Sequence, residues 1–549
     1  MTTMKKSALQ NPPFFWIAFV FFIFLAIAVR IHDFGTYPAD INCDEAMAAV
    51  EAMAIMENGA DQFGTSYPVY FETWGHGQMN ALLIYILAVV IKFFGASTTM
   101  IRLPMLLLSL AGIAAITWIA WMVFSKEAAL FVLAFASINP WHIMASRWTL
   151  ESNLFPHLLV IGHAFLIYTL ESRKMLFFYL AMLLYGISLY AYGVSFTFMP
   201  FFLAGIYILF LRNRTFKISA LLGGCLTFLA VAWPLILMMA INYFQLPSLR
   251  IGPMTIQYFD KSIRTGSLLF SAENIFQQLG KNFLSFVNLI LLQKMDLRWN
   301  QLPTVGTMYK ITTPLIVWGV IYLTIRLGKD NPEQKSTVQH VGIQILMISL
   351  FTSFISAMLI IDINVNRVNS IFYPLIIFGA IGIFSIFQKK QFWGIVLAGV
   401  YGVYFLFFCY RYFYSDDRFY LNYTFDKGFT KAISQTVQYP SQPVCISTNL
   451  YRPDEKIVSV YLKYNLQLPY RYYANLMTAE ELKSGQYYLP YTEKYTIFDD
   501  LEATYSTKAD QCIYIINVRD RDFFDRTRFD VDSNDFFSIA IPKSIYVTE

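Results

Sequence analysis

Eleven long apolar runs, separated by short polar breaks, set the pattern of the first four hundred residues. They begin near Phe14, Ile101, Ala128, Leu154, Met175, Ser195, Ile218, Ile311, Val341, Ser370 and Phe392. A helix needs roughly 17 to 25 apolar residues to cross a bilayer core, and these runs have that length. A further run, Met79 to Phe94, is shorter and follows the glycine-rich "TWGHGQMN". Whether it crosses decides the sidedness of everything after it, and the basic residues settle the choice. If it does not cross, Lys126, Arg173, Lys174, Arg212, Arg214, Lys217, Arg326, Lys329, Lys335, Lys389 and Lys390 share one side with Lys5 and Lys6. The short loops opposite hold little beyond Arg147 and Arg367. The positive-inside rule therefore predicts eleven spans, with Met79 to Phe94 as a juxtamembrane helix. Four regions become external: Ile31 to Met100, the loop around Arg147 to Asn153, a long segment from about Asn242 to Lys310, and everything after about Arg411.

Past Arg411 the pattern changes. Short strand-like pieces, "PVCIST", "KYTIFDD", "CIYIINV" and "FFSIAIP", mix with helix signals such as the capping box Thr478 to Glu481 and a stop at Gly485. The expected architecture is an α-helical polytopic membrane domain over residues 1–410 and a soluble α/β domain over 411–549. Between the spans, "ENIFQQLGKNFLSFVNLILL", Glu273 to Leu292, has the alternation of an interfacial amphipathic helix.

Composition agrees with a membrane protein: 56% of residues are hydrophobic and only 14% charged, against about a quarter charged in soluble proteins. A net charge of +5, dispersed between apolar runs, gives no basic face for nucleic acid. The first run follows Lys5 and Lys6 without a small-residue cleavage site and reads as a retained span. The five cysteines have no C-x-x-C spacing, which argues against a metal ribbon. Cys445 and Cys512 fall in the polar region, and the sequence leaves open whether they form a disulfide. No Walker loop, Rossmann glycine pattern, H-E-x-x-H or G-x-S-x-G occurs, so ATP-driven and zinc-protease chemistry drop out.

The candidate chemistry gathers on the external side. Asp44 and Glu45 stand before "AMAAVEAMAIM", where one acid would cap a helix start. A pair at a membrane boundary is costly unless it lines a wet cavity, which makes both site candidates. Arg147 and Glu151, four apart in "MASRWTLESNLFP", suit a helical ion pair; the alternative is a second acid that steers an acceptor or a metal, with Arg147 as a donor-phosphate contact. Arg367, in "DINVNRVNSIFYPL", either snorkels to headgroups or clamps a phosphate, for which guanidinium geometry is suited. His76, between glycines, and Arg102, in "MIRLPM", read as structural or boundary residues, with phosphate contact as the alternative. "DVDSNDFFSIAI", Asp530 to Ile541, starts like a calcium loop but lacks its glycine and final glutamate, so a solvated acidic turn is expected.

The order of these features, with "DE" in the first external loop, then "IRLPMLLLSLAGI", "SRWTLES" and "NRVNSIFYPLIIFGAIGI", resembles the GT-C glycosyltransferases. Within them it is most similar to the bacterial family 39 branch related to protein O-mannosyltransferases and the lipid A aminoarabinose transferase. The resemblance covers roughly Phe14 to Lys390. It implies an inverting enzyme of the bacterial cytoplasmic membrane that takes a sugar from a polyprenyl-phosphate carrier on the external face. The acceptor class stays open between lipid, glycan and protein. By that resemblance Asp44 matches the catalytic base, Glu45 its neighbour and Glu151 the second external acid. Related enzymes often carry "KPPL" or "HPPLG" where this chain has "HGQMNALL", and often Asp at the position of Glu151. A divalent metal between phosphate and acid is compatible with the chemistry, though the sequence shows no dedicated ligand set. The rival class is a transporter or flippase, against which stand the lack of a repeat and the gathering of charges on one face.

Overall fold

The computed structural model describes residues 12–73, 77–260, 265–329, 337–447, 455–466 and 494–547. Each apolar run is a helix. The first loop follows α1 (Pro12–Ile31) and holds α2 (Cys43–Asn58), the strands β1 (Tyr70–Thr73) and β2 (Gly77–Asn80), and α3 (Ala81–Phe94). The bundle continues with α4 (Thr98–Val123), α5 (Lys126–Ser137), α6 (Pro140–Ala145), α7 (Glu151–Ser172), α8 (Met175–Ser188), α9 (Ser195–Arg212) and α10 (Ile218–Tyr243). After a long insertion carrying the hairpin β3 (Leu249–Ile251) and β4 (Met254–Ile256), and then α11 (Ile275–Phe286), come α12 (Thr312–Lys329), α13 (Val338–Met358), α14 (Phe372–Lys389) and α15 (Gln391–Tyr414).

Among the described residues, eight helices are long and apolar enough to cross a membrane, which makes this an integral membrane protein. Three of the eleven expected spans, α5, α8 and α12, are not among them, and the first and second of these are short. At 1.5 Å per residue, α5 rises about 18 Å and α8 about 21 Å, short of a bilayer core of about 30 Å. The cause in α5 is local: Asn139 turns its side chain to cap α6, accepting the His142 N–H at 3.1 Å, and Pro140 cannot continue the preceding helix.

Two buried arginines place both ends of the α2–α3 excursion at one end of the bundle. Arg147, in the turn before α7, donates Nη1 to the carbonyls of Val29 and Arg30 at 3.2 and 2.9 Å, the last turn of α1. Arg102, in the first turns of α4, donates to the Pro38 and Asp40 carbonyls at 2.7 Å each. The end of α1 and the starts of α4 and α7 therefore lie at one end of the bundle, the head end. The intervening α2 and α3 leave from it and return to it.

Close helix packing rests on glycine. A Cβ on Gly319 of α12 would lie 2.0 Å from the Phe378 carbonyl, and one on Gly382 of α14 would lie 2.2 Å from that of Leu315. Helix α11 is amphipathic with its apolar face outward. Phe276, Phe283 and Leu284 are exposed, while Asn282 is buried and donates to the carbonyls of Met358 and Ile360. In a membrane protein that orientation fits a helix lying at the lipid interface.

After α15 the chain forms α16 (Asp416–Thr424), α17 (Phe429–Thr436), β5 (Val444–Ser447), α18 (Glu455–Leu466), β6 (Tyr495–Phe498), β7 (Ile513–Asn517), β8 (Phe529–Ser533) and β9 (Phe537–Pro542). The sheet order is β6-β5-β7-β9-β8, with β5 parallel to β6 and β7, and β9 antiparallel to β7 and β8. The four strand-like pieces of the sequence are β5, β6, β7 and β9. The acidic stretch from Asp530 is the β8–β9 hairpin, whose turn residue Asp535 pairs with Lys427 at 2.6 Å. Cys445 and Cys512 are buried thiols on neighbouring strands. The capping box at Thr478 lies outside the described residues.

This part of the chain docks on the first loop. Asp40 accepts the Gly428 N–H at 2.9 Å, Tyr461 donates to the Ile41 carbonyl at 3.0 Å, and Tyr464 donates to that of Ala96 at 2.9 Å.

Candidate active site at the head end of the bundle

The chain enters α2 through a reciprocal cap. The Asn42 side chain accepts the Asp44 N–H at 3.0 Å, and the Glu45 carboxylate accepts the Asn42 N–H at 3.0 Å. Asn at the cap with Glu three residues on is the sequence this box requires. Glu45 then does more than cap. Its Oε1 accepts Arg102 Nε at 2.9 Å and the Thr149 N–H at 2.7 Å, and its Oε2 accepts Arg102 Nη2 at 2.8 Å. Both side chains are fully buried. The adjacent acids thus have different surroundings: Glu45 is enclosed among donors from three elements, whereas Asp44 is half-buried at the start of the helix.

Glu151 is the first residue of α7, and its Oε2 accepts the Asn80 N–H at 2.7 Å. The expected helical pair with Arg147 is not formed, because Arg147 precedes the helix and turns the other way. Its Nη2 donates to the Tyr37 carbonyl at 2.9 Å and its guanidinium lies over the Phe413 ring at 5.0 Å. Expected as phosphate contacts, Arg147 and Arg102 are instead wholly buried on protein partners. His76 lies outside the described residues.

Arg367 differs from both. It is half-buried in the loop between α13 and α14, with Nη1 donating to the Ile361 and Asp362 carbonyls. Among the described residues its Nε and Nη2 have no partner. The Asn364 side chain fixes this loop by accepting the N–H groups of Asn366 and Arg367, each at 3.1 Å. Asn369 then ties it to the α7 start, donating to the Ser152 carbonyl at 2.6 Å. Two links thus join the loop of Arg367 to the cap of Asp44: Asn369 to Ser152, and Thr149 to Glu45. Around the first of them Ser152 Oγ, Asn153 Oδ1 and Asn369 Oδ1 are buried with no hydrogen-bond partner, a rare condition for protein polar atoms.

Sequence reasoning missed several polar groups here. Asp296, in the long insertion, accepts the Val365 N–H at 2.8 Å, two residues from Arg367, and burial raises its carboxyl above the usual range. In the first loop Glu51 and Asp61 are both buried, with Gln62 bonded to Glu51 and to Lys463 of α18. Burial and mutual repulsion push Glu51 up to about 8, and burial pushes Asp61 up to about 7. Inside the bundle, Arg30 donates to His142 Nδ1 at 2.9 Å, His142 Nε2 meets the Tyr373 hydroxyl at 2.9 Å, and that hydroxyl meets His157 Nδ1 at 2.7 Å. Arginine can only donate, so this chain fixes the tautomers: Nε2 of each histidine carries the proton. The signal for all three groups was polar residues inside apolar or loop segments, without any spacing to pair them. Among the described residues no three His, Cys, Asp or Glu side chains gather as a metal site.

An N-terminal span, a head-end loop carrying two acids, a helical bundle and a C-terminal sheet domain make up the GT-C architecture, and the chain has that fold. The solved structure of ArnT from Cupriavidus metallidurans bound to undecaprenyl phosphate is similar over 98% of this chain and 99% of its own, at 13% identity and a TM-score of 0.53. The Archaeoglobus fulgidus oligosaccharyltransferase AglB, in complex with an inhibitory peptide and a dolichol-phosphate, matches more loosely. There the coverage is 94% of this chain and 70% of that one, with 12% identity and a TM-score of 0.43. No protein-family profile and no curated protein sequence matches the chain.

Proposed function

We propose that the protein is a glycosyltransferase that moves a sugar from a polyprenyl-phosphate carrier to an acceptor, with inversion, at the head end of its bundle. In this reading the head end is the external face of a bacterial cytoplasmic membrane, as the distribution of basic loops implies. The observation that supports the reading is that a half-buried acid and a guanidinium with two uncommitted nitrogens sit on loops each tied to the start of α7. Sugar transfer passes through an oxocarbenium-like transition state, as glycoside hydrolysis does. It needs a base for the acceptor proton and a cation for the departing phosphate. Asp44 takes the first role, in the first turn of a helix, where the backbone dipole favours a carboxylate. Arg367 takes the second through Nε and Nη2, in the bidentate geometry that arginine offers phosphate.

The remaining residues position these two. Glu45 and Arg102 fix the α2 cap, Arg147 anchors α1 against the turn before α7, and Glu151 holds the strand leading into α3. Of the unpaired polar atoms there, the Asn153 and Asn369 Oδ1 oxygens can accept from a ligand's hydroxyls, and Ser152 Oγ can donate to its phosphate. The likeness to an ArnT structure holding undecaprenyl phosphate supports a lipid-linked donor, which also explains an active site with no nucleotide-binding loop. Where a divalent metal takes part, Asp44 and the donor phosphate would hold it, adding a second positive charge opposite Arg367.

The deciding experiment incubates purified protein with radiolabelled polyprenyl-phosphate sugars and membranes. Label moving from carrier to a lipid, glycan or protein supports the reading. Label that stays on the carrier but changes leaflet favours a flippase and rejects it.

A further inference from the structure

On the side of the bundle facing lipid, α1, α5, α14 and α15 enclose a groove of about 670 Å³. Phe21, Leu25, Phe131, Phe135 and Phe387 form its walls, and α15 floors it from Gln391 to Leu406. Only Gln391 and Tyr401 bring polar groups to the lining, and the Tyr401 hydroxyl is turned to Thr312 at 2.8 Å. The groove runs along α15 for about 24 Å at 1.5 Å rise per residue. Its walls are almost wholly carbon, and such a lining beside the bilayer suits a hydrocarbon chain.

The ends of the groove differ. Lys126 begins α5 and its ammonium stands 5.6 Å from the Phe15 ring, beside the groove residue Phe14. Lys390 is exposed directly before the groove residue Gln391. Glu127 forms an ion pair with Lys126 at 4.0 Å, and the exposed Lys389 and Lys390 leave this end with a net positive charge. This basic end is opposite the head end, since α5 and α15 both run from it toward the turn before α7 and toward α16. The phosphate of a donor held at Arg367 cannot reach it.

We propose that this groove is a binding site for an anionic membrane phospholipid, with an acyl chain laid along α15 and the phosphate between Lys126 and Lys390. Lys390 and Lys126 supply the charge that distinguishes an anionic headgroup. The four helix walls supply the shape. The site is independent of the glycosyltransferase reading and holds if that reading fails.

The test uses full-length protein in mild detergent with equal phosphatidylglycerol and phosphatidylcholine, read by native mass spectrometry. One phosphatidylglycerol is expected to remain bound, favoured roughly fivefold or more, the preference a basic residue gives near a lipid phosphate. A Cβ on Gly402 meets nothing within 4 Å, so Gly402→Phe fills the groove without displacing a helix and is expected to abolish the adduct, while Gly402→Ala keeps it. Lys126→Gln with Lys390→Gln is expected to keep an adduct but lose the preference. Equal retention of the two lipids by the wild type, or an adduct that survives in a folded Gly402→Phe protein, overturns the proposal. So does a bound polyprenyl phosphate, or a dimer that Gly402→Phe dissolves. Should Gly402→Phe fail to fold, the wild-type preference and the double lysine variant decide alone.

Discussion

Arg102 and Glu45, 57 residues apart, form a bidentate ion pair from which solvent is wholly excluded, with Nε to Oε1 at 2.9 Å and Nη2 to Oε2 at 2.8 Å. The pair divides the labour between the two adjacent acids of the first loop, and the division is measurable. Asp44→Asn is expected to lower sugar transfer by about 10²–10⁴-fold, the usual worth of a general base, with the denaturation midpoint unchanged. Glu45→Gln is expected to cost stability instead, about 3–5 kcal/mol, because it strands a buried guanidinium. Thermal unfolding in detergent alongside a transfer assay separates the two; a stable, fully active Asp44→Asn protein removes it as the base.

Arg147 and Arg367, in loops at the head end, divide in the same way. Arg367→Ala is expected to raise the apparent KM for the lipid-linked donor by roughly tenfold or more, the worth of a charge-assisted hydrogen bond, at nearly unchanged stability. Arg147→Ala releases the last carbonyls of α1 and is expected to lower expression and melting temperature. Donor titration and unfolding curves on both variants check this, and an unchanged KM in Arg367→Ala excludes a phosphate role.

Stability is expected to fall as pH rises toward 8. Glu51 and Asp61 ionise near 4.5 and 3.8 in an unfolded chain but at about 8 and about 7 when folded. Between those values the folded protein holds protons that the unfolded chain has lost, so their stabilisation is complete at low pH and is lost as pH passes the folded values. The limiting slope for one such group is about 1.4 kcal/mol per pH unit. Lys463 works above this window, since burial pulls it down to about 8 from 10.5, so its unfavourable contribution is relieved as pH climbs between those two values. Unfolding midpoints at pH 5.5, 6.5 and 7.5 should decline in the wild type and flatten in Glu51→Gln.

Helix α12 packs on α14 through backbone, without side chains between. Gly382→Ala places a methyl group where the Leu315 carbonyl stands, and is expected to cost about 1–3 kcal/mol, as overpacking does. Gly399→Ala on α15, where a Cβ meets nothing within 4 Å, is the matched control and is expected to be neutral or slightly stabilising. Denaturation midpoints of the two variants test the crossing.

The positions of most spans were legible because bilayer crossing imposes one crude requirement, length of apolar chain. The break at Asn139-Pro140 was equally visible in the sequence and would have shortened α5, had the proline been weighed against the apolar run around it. The roles of polar residues were less readable. Arg102 beside a membrane boundary has the same local sequence whether it snorkels to a headgroup or meets an acid 57 residues back, and Thr149 reaches Glu45 across 104 residues. The Arg147 and Glu151 spacing suggested a pair that the turn before α7 prevents. Only the fold assigns such partners, because each depends on which loops share an end of the bundle.

The contacts of Asp40 with Gly428 and of Ile41 with Tyr461 bear on biosynthesis. The turn that sets Asp44 is made early, but the residues that brace it arrive nearly four hundred positions later. A nascent chain therefore carries Asp44 on an unbraced turn until the segment from Gly428 to Tyr461 folds back onto it.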